Sequence, residues 1–132
     1  MTTRQALPLY TLALSLVLVG AAGRAVSVPP APAGWALKGN AERGKTVFAS
    51  RCTVCHGEKG NGKGLLKGSN PPPTDFTDRA KMAKHTDWEI YLVIRDGGQV
   101  AGLSPSMAGW GPMLTDQEVR DAAAYVRSLG RR

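Results

Sequence analysis

Apolar residues in this chain come in separated groups, and the spacing within each group dictates the element it can form. The first is a continuous stretch from Leu9 to Val19, preceded by a short polar start with Arg4 and followed by the small residues Gly20 to Gly23. From Asn40 the spacing becomes helical. Ala41, Gly44, Phe48 and Cys52, then Cys55 and His56, recur by steps of three and four and share one face. Asn40 is placed to cap this helix, and Glu42 in its first turn suits the positive end of the macrodipole. A middle helix is predicted from Thr86, where Thr86 and Glu89 have capping-box spacing, through Ile90, Tyr91, Leu92, Val93 and Ile94 to Gly97-Gly98. Its apolar residues point all round, which predicts a largely buried helix. The last helix starts at a second capping box, Thr115 with Glu118, with Leu114 and Val119 placed as a hydrophobic staple. Its stripe is Val119, Ala122, Ala123 and Val126, with Tyr125 and Leu129 at the margin, and Gly130 ends it. Glycines and prolines dominate from Gly57 to Pro73, which predicts a loop. No useful length of alternating apolar and polar residues occurs, so the fold class is all-α.

These patterns divide the chain. Residues 1–25 have the layout of a secretory signal peptide, and small residues allow cleavage after Gly23 or after Ala25. An uncleaved membrane anchor is the alternative, but the apolar core is shorter than the roughly 20 residues a spanning helix needs. No cysteine follows that core, which excludes a lipoprotein anchor. Residues 26–38 carry Pro29, Pro30 and Pro32 among small residues and read as an extended linker. Residues 39–132 then form a single small domain, short enough for its own core to be marginal.

Charge adds a modest constraint. The formal net charge is +7, and removal of Arg4 and Arg24 with the leader lowers it by two. Lys59, Lys63, Lys67, Lys81 and Lys84 lie between the cysteines and the middle helix. They are either a basic face that steers the protein toward acidic partners or a solvated surface that keeps it soluble. The modest charge, the export signal and the lack of any binding motif exclude nucleic acid as a partner. Nucleotide binding by the glycine-rich loop is excluded too, since no Gly-Lys-Ser/Thr follows it.

The candidate chemistry sits in one run, Cys52-Thr53-Val54-Cys55-His56, which contains both cysteines of the chain. Cys-x-x-Cys followed directly by His is the attachment pattern for c-type haem. Two thiols at that spacing can each add to one vinyl group of a porphyrin, and the next side chain then offers its imidazole to the iron. Attachment would consume both thiols and leave none for a disulfide. The haem would also supply an apolar plate around which a marginal core can pack.

The stretch from Asn40 to Leu129 resembles the class I, monohaem bacterial c-type cytochromes. The matching pieces are Gly44-Lys45-Thr46-Val47-Phe48, the haem motif with Gly57, Met107-Ala108-Gly109-Trp110, Leu114-Thr115-Asp116, and Ala124-Tyr125-Val126-Arg127-Ser128-Leu129. The resemblance implies a small cytochrome c fold whose first and last helices cross nearly at right angles, with Gly44, Phe48 and Tyr125 at the contact. It also implies one covalently bound haem c, attached through Cys52 and Cys55, with His56 as proximal iron ligand. A methionine sulfur is implied as the distal ligand, on the loop before the last helix. Met107 fits that place best, although the proline usual after this methionine is Ala108 here. Met113, Met82 and His85 are the alternatives. A proline carbonyl accepts a hydrogen bond from the proximal histidine in the family, and one of Pro71 to Pro73 is placed to supply it. Trp88 and Trp110 either pack on the haem or belong to the core.

The expected function is a soluble, monomeric, extracytoplasmic one-electron carrier, periplasmic in a bacterium, which exchanges electrons with redox protein partners and is not itself an enzyme. Competing expectations are a ligand-binding or peroxidase-like haem protein with a labile sixth ligand, and a dedicated electron-transfer subunit of a dehydrogenase or oxidase complex. A thiol oxidoreductase lacks the strands its fold would need, and a zinc site lacks a fourth ligand.

Overall fold

The computed structural model describes residues 28–66 and 68–131. The predicted leader, residues 1–25, and Lys67 lie outside the described residues. Regular structure among those described is entirely helical: α1 Ala41–Arg51, α2 Thr53–His56, α3 Arg79–Met82, α4 Asp87–Asp96, a 3-10 turn Gly98–Ala101 and α5 Asp116–Leu129.

Each long helix begins where its capping residues place it. The Asn40 side chain accepts from the Arg43 N–H at the start of α1. Thr115 and Glu118 form the full reciprocal capping box at the start of α5. At α4 only half of the expected box forms. Thr86 accepts from the Glu89 N–H, but the Glu89 carboxylate pairs with His85 instead, Nδ1 to Oε1 2.8 Å. The pairing of a charged oxygen with an imidazole outcompetes a backbone amide that solvent already reaches. The one-turn helices α2 and α3 were not separable in the sequence, because four residues carry no periodicity.

The core is built where α1 and α4 meet α5. Phe48 and Tyr125 pack at a tilt, 5.2 Å between ring centroids, with Val119, Ala122, Ala123, Val126 and Leu129 filling the rest of the α5 side. The α1–α5 contact depends on Gly44. A Cβ there would collide with the carbonyl of Asp121 in α5 and come within 2.9 Å of the Tyr125 Cβ. No side chain fits between the two backbones.

Beside this contact lies Asp121, only 3% exposed. It accepts from the Asn40 N–H (2.7 Å), Arg43 Nε (2.6 Å) and Nη2 (3.0 Å), and Gln117 Nε2 (2.9 Å). Burial pushes the carboxyl pKa up, but Arg43, the Asn40 amide and Gln117 outweigh it, and the net shift is downward.

The expected linker is a packed segment in its described part. Trp35 makes a T-shaped contact with Trp88 (4.8 Å) and a tilted one with Tyr91 (5.5 Å). Arg120 Nη1 donates to the Ala36 carbonyl, Gln117 Nε2 to the Lys38 carbonyl and Trp88 Nε1 to the Pro29 carbonyl. Residues 28–38 are helix-free, with one turn at Ala33-Gly34 closed by the Trp35 N–H on the Pro32 carbonyl, and their carbonyls find donors on α4 and α5 while Trp35 finds an aromatic surface.

Asp121→Ala is expected to lower stability by about 2–4 kcal/mol, since it removes several bonds to a buried charge. Because the folded pKa lies below the unfolded value, the parent gains this stabilisation above roughly pH 4 and loses it as pH falls through the folded value. Acid titrations of thermal stability should therefore fall less steeply in the variant.

Candidate functional site

Between α4 and the loops that flank it lies a cavity of about 380 Å³, within the usual range of small-molecule and cofactor sites (~300–1,000 Å³). Its apolar walls include Ile90, Val93 and Ile94 of α4, Met82, Leu103 and Val126. Cys55, His56 and Met107 all line it. Cys55 and His56 of the sequence motif and the methionine more than fifty positions away are thus brought to one apolar space.

Local structure explains how each is presented. Helix α1 carries the chain to Cys52, whose N–H bonds the Phe48 carbonyl, and α2 adds one further turn that ends at His56. Gly57 then takes a positive φ of 77°, a turn that favours glycine and sends the chain away from the site. Met107 sits in the loop after α4, with its N–H donating to the Ser104 carbonyl (3.1 Å) and its carbonyl accepting from the Gly98 N–H (2.8 Å). It is half-buried, whereas Met113 is 59% exposed and does not line the cavity.

His56 stacks on Phe76, ring centroids 4.5 Å apart and planes at 23°. Burial lowers its pKa, and the backbone of Thr74 opposes part of that shift. The Nδ1 atom is buried and makes no hydrogen bond of ordinary geometry. Pro71, Pro72 and Pro73 line the cavity beside Thr74, but the backbone group acting on His56 belongs to Thr74, one residue past the expected prolines. Cys52 and Cys55 are free thiols. Cys52 packs against the core without lining the cavity, and burial followed by the neighbouring Cys55 pushes its pKa up to about 11. Its sulfur is therefore held as a neutral thiol at ordinary pH.

Met82 and His85 also line the cavity, but each has a structural task. Met82 is 3% exposed and packs under the end of α5, where Gly130 approaches it closely. His85 pairs with Glu89, which also faces the cavity. Trp88 and Trp110 line no part of it and belong with the core. The described lysines of the basic stretch, Lys59, Lys63, Lys81 and Lys84, are all exposed.

Phe76 and Arg127 escaped the sequence reading. Phe76 is a lone aromatic in a polar stretch, and its only signal was isolation. Arg127 looks like a surface residue at the end of α5, yet its guanidinium donates to Asp87 Oδ1 (2.6 Å), the Met82 carbonyl (2.7 Å) and the His85 carbonyl (2.5 Å). It ties the α3–α4 connection, one wall of the cavity, to α5.

Two free thiols, an imidazole with an unpartnered buried nitrogen and a thioether, arranged on and beside an apolar cavity, fit a flat apolar cofactor with a metal centre. Among the described residues no cluster of three or more His, Cys, Asp or Glu is arranged to hold a bare metal ion. No helix of the described residues is long and apolar enough to cross a membrane.

The sequence profile of the Cytochrome c family matches residues 41–130. The chain is 31% identical over 90 residues to the cbb3-type cytochrome c oxidase subunit FixP of Azorhizobium caulinodans, covering 68% of this chain and 27% of that protein. It is 33% identical over 100 residues to a thiosulfate dehydrogenase of Psychrobacter arcticus, covering 72% and 28%. With cytochrome c6 of Rippkaea orientalis it shares 32% identity over 91 residues, covering 69% and 72%. The chain thus spans little more than a quarter of the length of the first two relatives. Among solved structures, a chain of the reducing HAO-like protein complex of Kuenenia stuttgartiensis aligns with a TM-score of 0.54 at 25% identity, over 76% of this chain and 50% of that one.

Arg127→Met keeps much of the stem but removes the donors to Asp87 and to the part-buried His85 carbonyl, and one of the two donors to the Met82 carbonyl, which keeps the His85 N–H. A loss of about 2–4 kcal/mol is expected in thermal or denaturant unfolding. A loss under about 0.5 kcal/mol would show that the wall is held without it.

Proposed function

Because this chain belongs to the cytochrome c family, we propose that it is a soluble, extracytoplasmic one-electron carrier in which Cys52 and Cys55 attach the family's haem c and His56 and Met107 ligate its iron. Covalently bound haem c is the cofactor of the family, and when bound it supplies a ferrous/ferric couple. The observation that carries the reading is the convergence of Cys55, His56 and Met107 on one apolar cavity.

The chain's residues account for the rest. Cys52 and Cys55, both free thiols, would hold the haem through thioether links. His56 is held by its stacking on Phe76, so the imidazole is oriented before it binds. The Met107 thioether favours the ferrous state and raises the potential. The apolar walls act in the same direction, because the additional positive charge of the ferric state is poorly solvated there. With His56 and Met107 both holding the iron, little in the chain would need to rearrange when an electron moves, and no site on the metal would be left for a substrate. The exposed lysines complement redox proteins with acidic faces.

Service as a dedicated subunit of a larger redox complex is the second arrangement. It is favoured by the match of this chain to one portion of an oxidase subunit. Co-purification of stoichiometric partner chains from native membranes would support it over a free monomeric shuttle.

The primary test is the absorption spectrum of the haem-loaded protein. The ferric parent should show the weak far-red band of sulfur-to-iron charge transfer, and Met107→Ala should abolish it. The reduction potential should fall by roughly 0.2 V, a fraction of the ~0.8 V that axial ligands span. Persistence of the band in Met107→Ala, with its loss in Met82→Ala or Met113→Ala, would overturn the assignment. Ready carbon monoxide uptake by the ferrous parent would favour a ligand-binding protein instead.

A further inference from the structure

Among the residues described in the Met107 loop, Ser104 is the buried polar one, 8% exposed, and it lines the cavity. Buried hydroxyls in small apolar cores call for an explanation. Ser104 accepts twice within three residues: its carbonyl from the Met107 N–H (3.1 Å) and its Oγ from the Ser106 N–H (3.2 Å). The second bond is a serine turn, with the side chain standing in for a backbone acceptor. The loop is then closed from its other side, since the Gly98 N–H donates to the Met107 carbonyl and the Gly98 carbonyl accepts from the Leu103 N–H (2.9 Å). Gly98 itself lies tight between the two residues, its missing Cβ falling close to the Ser104 carbonyl and 3.1 Å from the Met107 Cβ.

We infer that Ser104 is the positioning residue for Met107: its hydroxyl locks the 104–107 turn so that the methionine sulfur is presented to the iron and stays bound. The inference rests on Met107 being the distal ligand. It goes further in naming what limits how often that ligand is lost. A loop that samples open forms exposes the sixth position in proportion to the open fraction, and an added ligand competes in that same proportion. The hydroxyl acts only by lowering that fraction.

The test measures binding of added imidazole to the ferric haem-loaded protein in five forms: parent, Ser104→Ala, Ser104→Thr, Met107→Ala, and the double variant Ser104→Ala/Met107→Ala. Loss of this part-buried hydrogen bond is expected to raise the apparent imidazole affinity roughly fivefold to tenfold in Ser104→Ala, with a weaker far-red band and unchanged helix content. Ser104→Thr, which keeps the hydroxyl, should stay close to the parent. In the Met107→Ala background the sixth position is already open, so adding Ser104→Ala should change nothing. Equal affinities in the parent and Ser104→Ala would overturn the inference. So would an equal tightening in both backgrounds, because Ser104 would then shape the cavity rather than hold Met107. If Met107→Ala binds imidazole no better than the parent, the ligand assignment itself fails, and that outcome is separate. Should Ser104→Ala not accumulate with haem, the near-isosteric pair Ser104→Thr and Ser104→Val poses the same question.

Discussion

The backbone contact between α1 and α5 at Gly44 is the constraint on which the other features rest. Two helices can come this close only where one of them has no side chain, and a Cβ at Gly44 would meet the Asp121 carbonyl. The contact fixes where α1 ends relative to α5, and therefore where α2 delivers Cys55 and His56. Its surroundings reinforce it. Asp121 gathers the Asn40 amide, Arg43 and Gln117 beside the crossing, and Phe48 packs on Tyr125 beneath it. Charge, aromatic packing and the missing side chain all favour the same relative placement, as expected of a sequence whose local and global preferences agree.

The opposite wall of the cavity is held by different means. Helix α4 offers Ile90, Val93 and Ile94 to the cavity and turns Trp88 and Tyr91 away, toward Trp35 of the N-terminal segment. One helix thus separates the apolar cavity from an aromatic cluster edged by Arg95 and Arg120. Arg127 anchors the turn that precedes α4, while Ser104 and Gly98 close the loop that follows it. Polar groups stand at both ends of the wall and apolar groups in its middle. That arrangement keeps water from the middle of the wall while the polar groups at its ends find partners.

Much of this was legible in the residues. Asn40, Thr86 and Thr115 announced three helix starts because a capping side chain acts within three residues. Gly44, Phe48 and Tyr125 stood out because they lie on periodic apolar faces. Other features were not legible, for physical reasons. Arg127 resembles any helix-terminal cation until Met82 and His85 fold under it. Glu89 had capping-box spacing, but competition from His85 is a contact between side chains that spacing cannot rank. Residues 28–38 looked like a free tail because prolines forbid helix, and prolines say nothing about whether an extended segment finds a surface. Met107 and Met113 share a composition and a loop. Sequence context favoured Met107, and the structure adds that it lines the cavity while Met113 is exposed.

The sequence by itself determined the all-α class, the Cys52-x-x-Cys55-His56 motif and the places where the long helices begin, since these depend on interactions spanning at most a turn or two. The tertiary structure alone decided that Met107 lines the cavity while Met113 stays exposed, that His56 stacks on Phe76, and which polar residues are buried around them. Each of those outcomes is set by groups far apart in the chain, whose meeting depends on the crossing of α1 and α5 and is encoded in no local pattern.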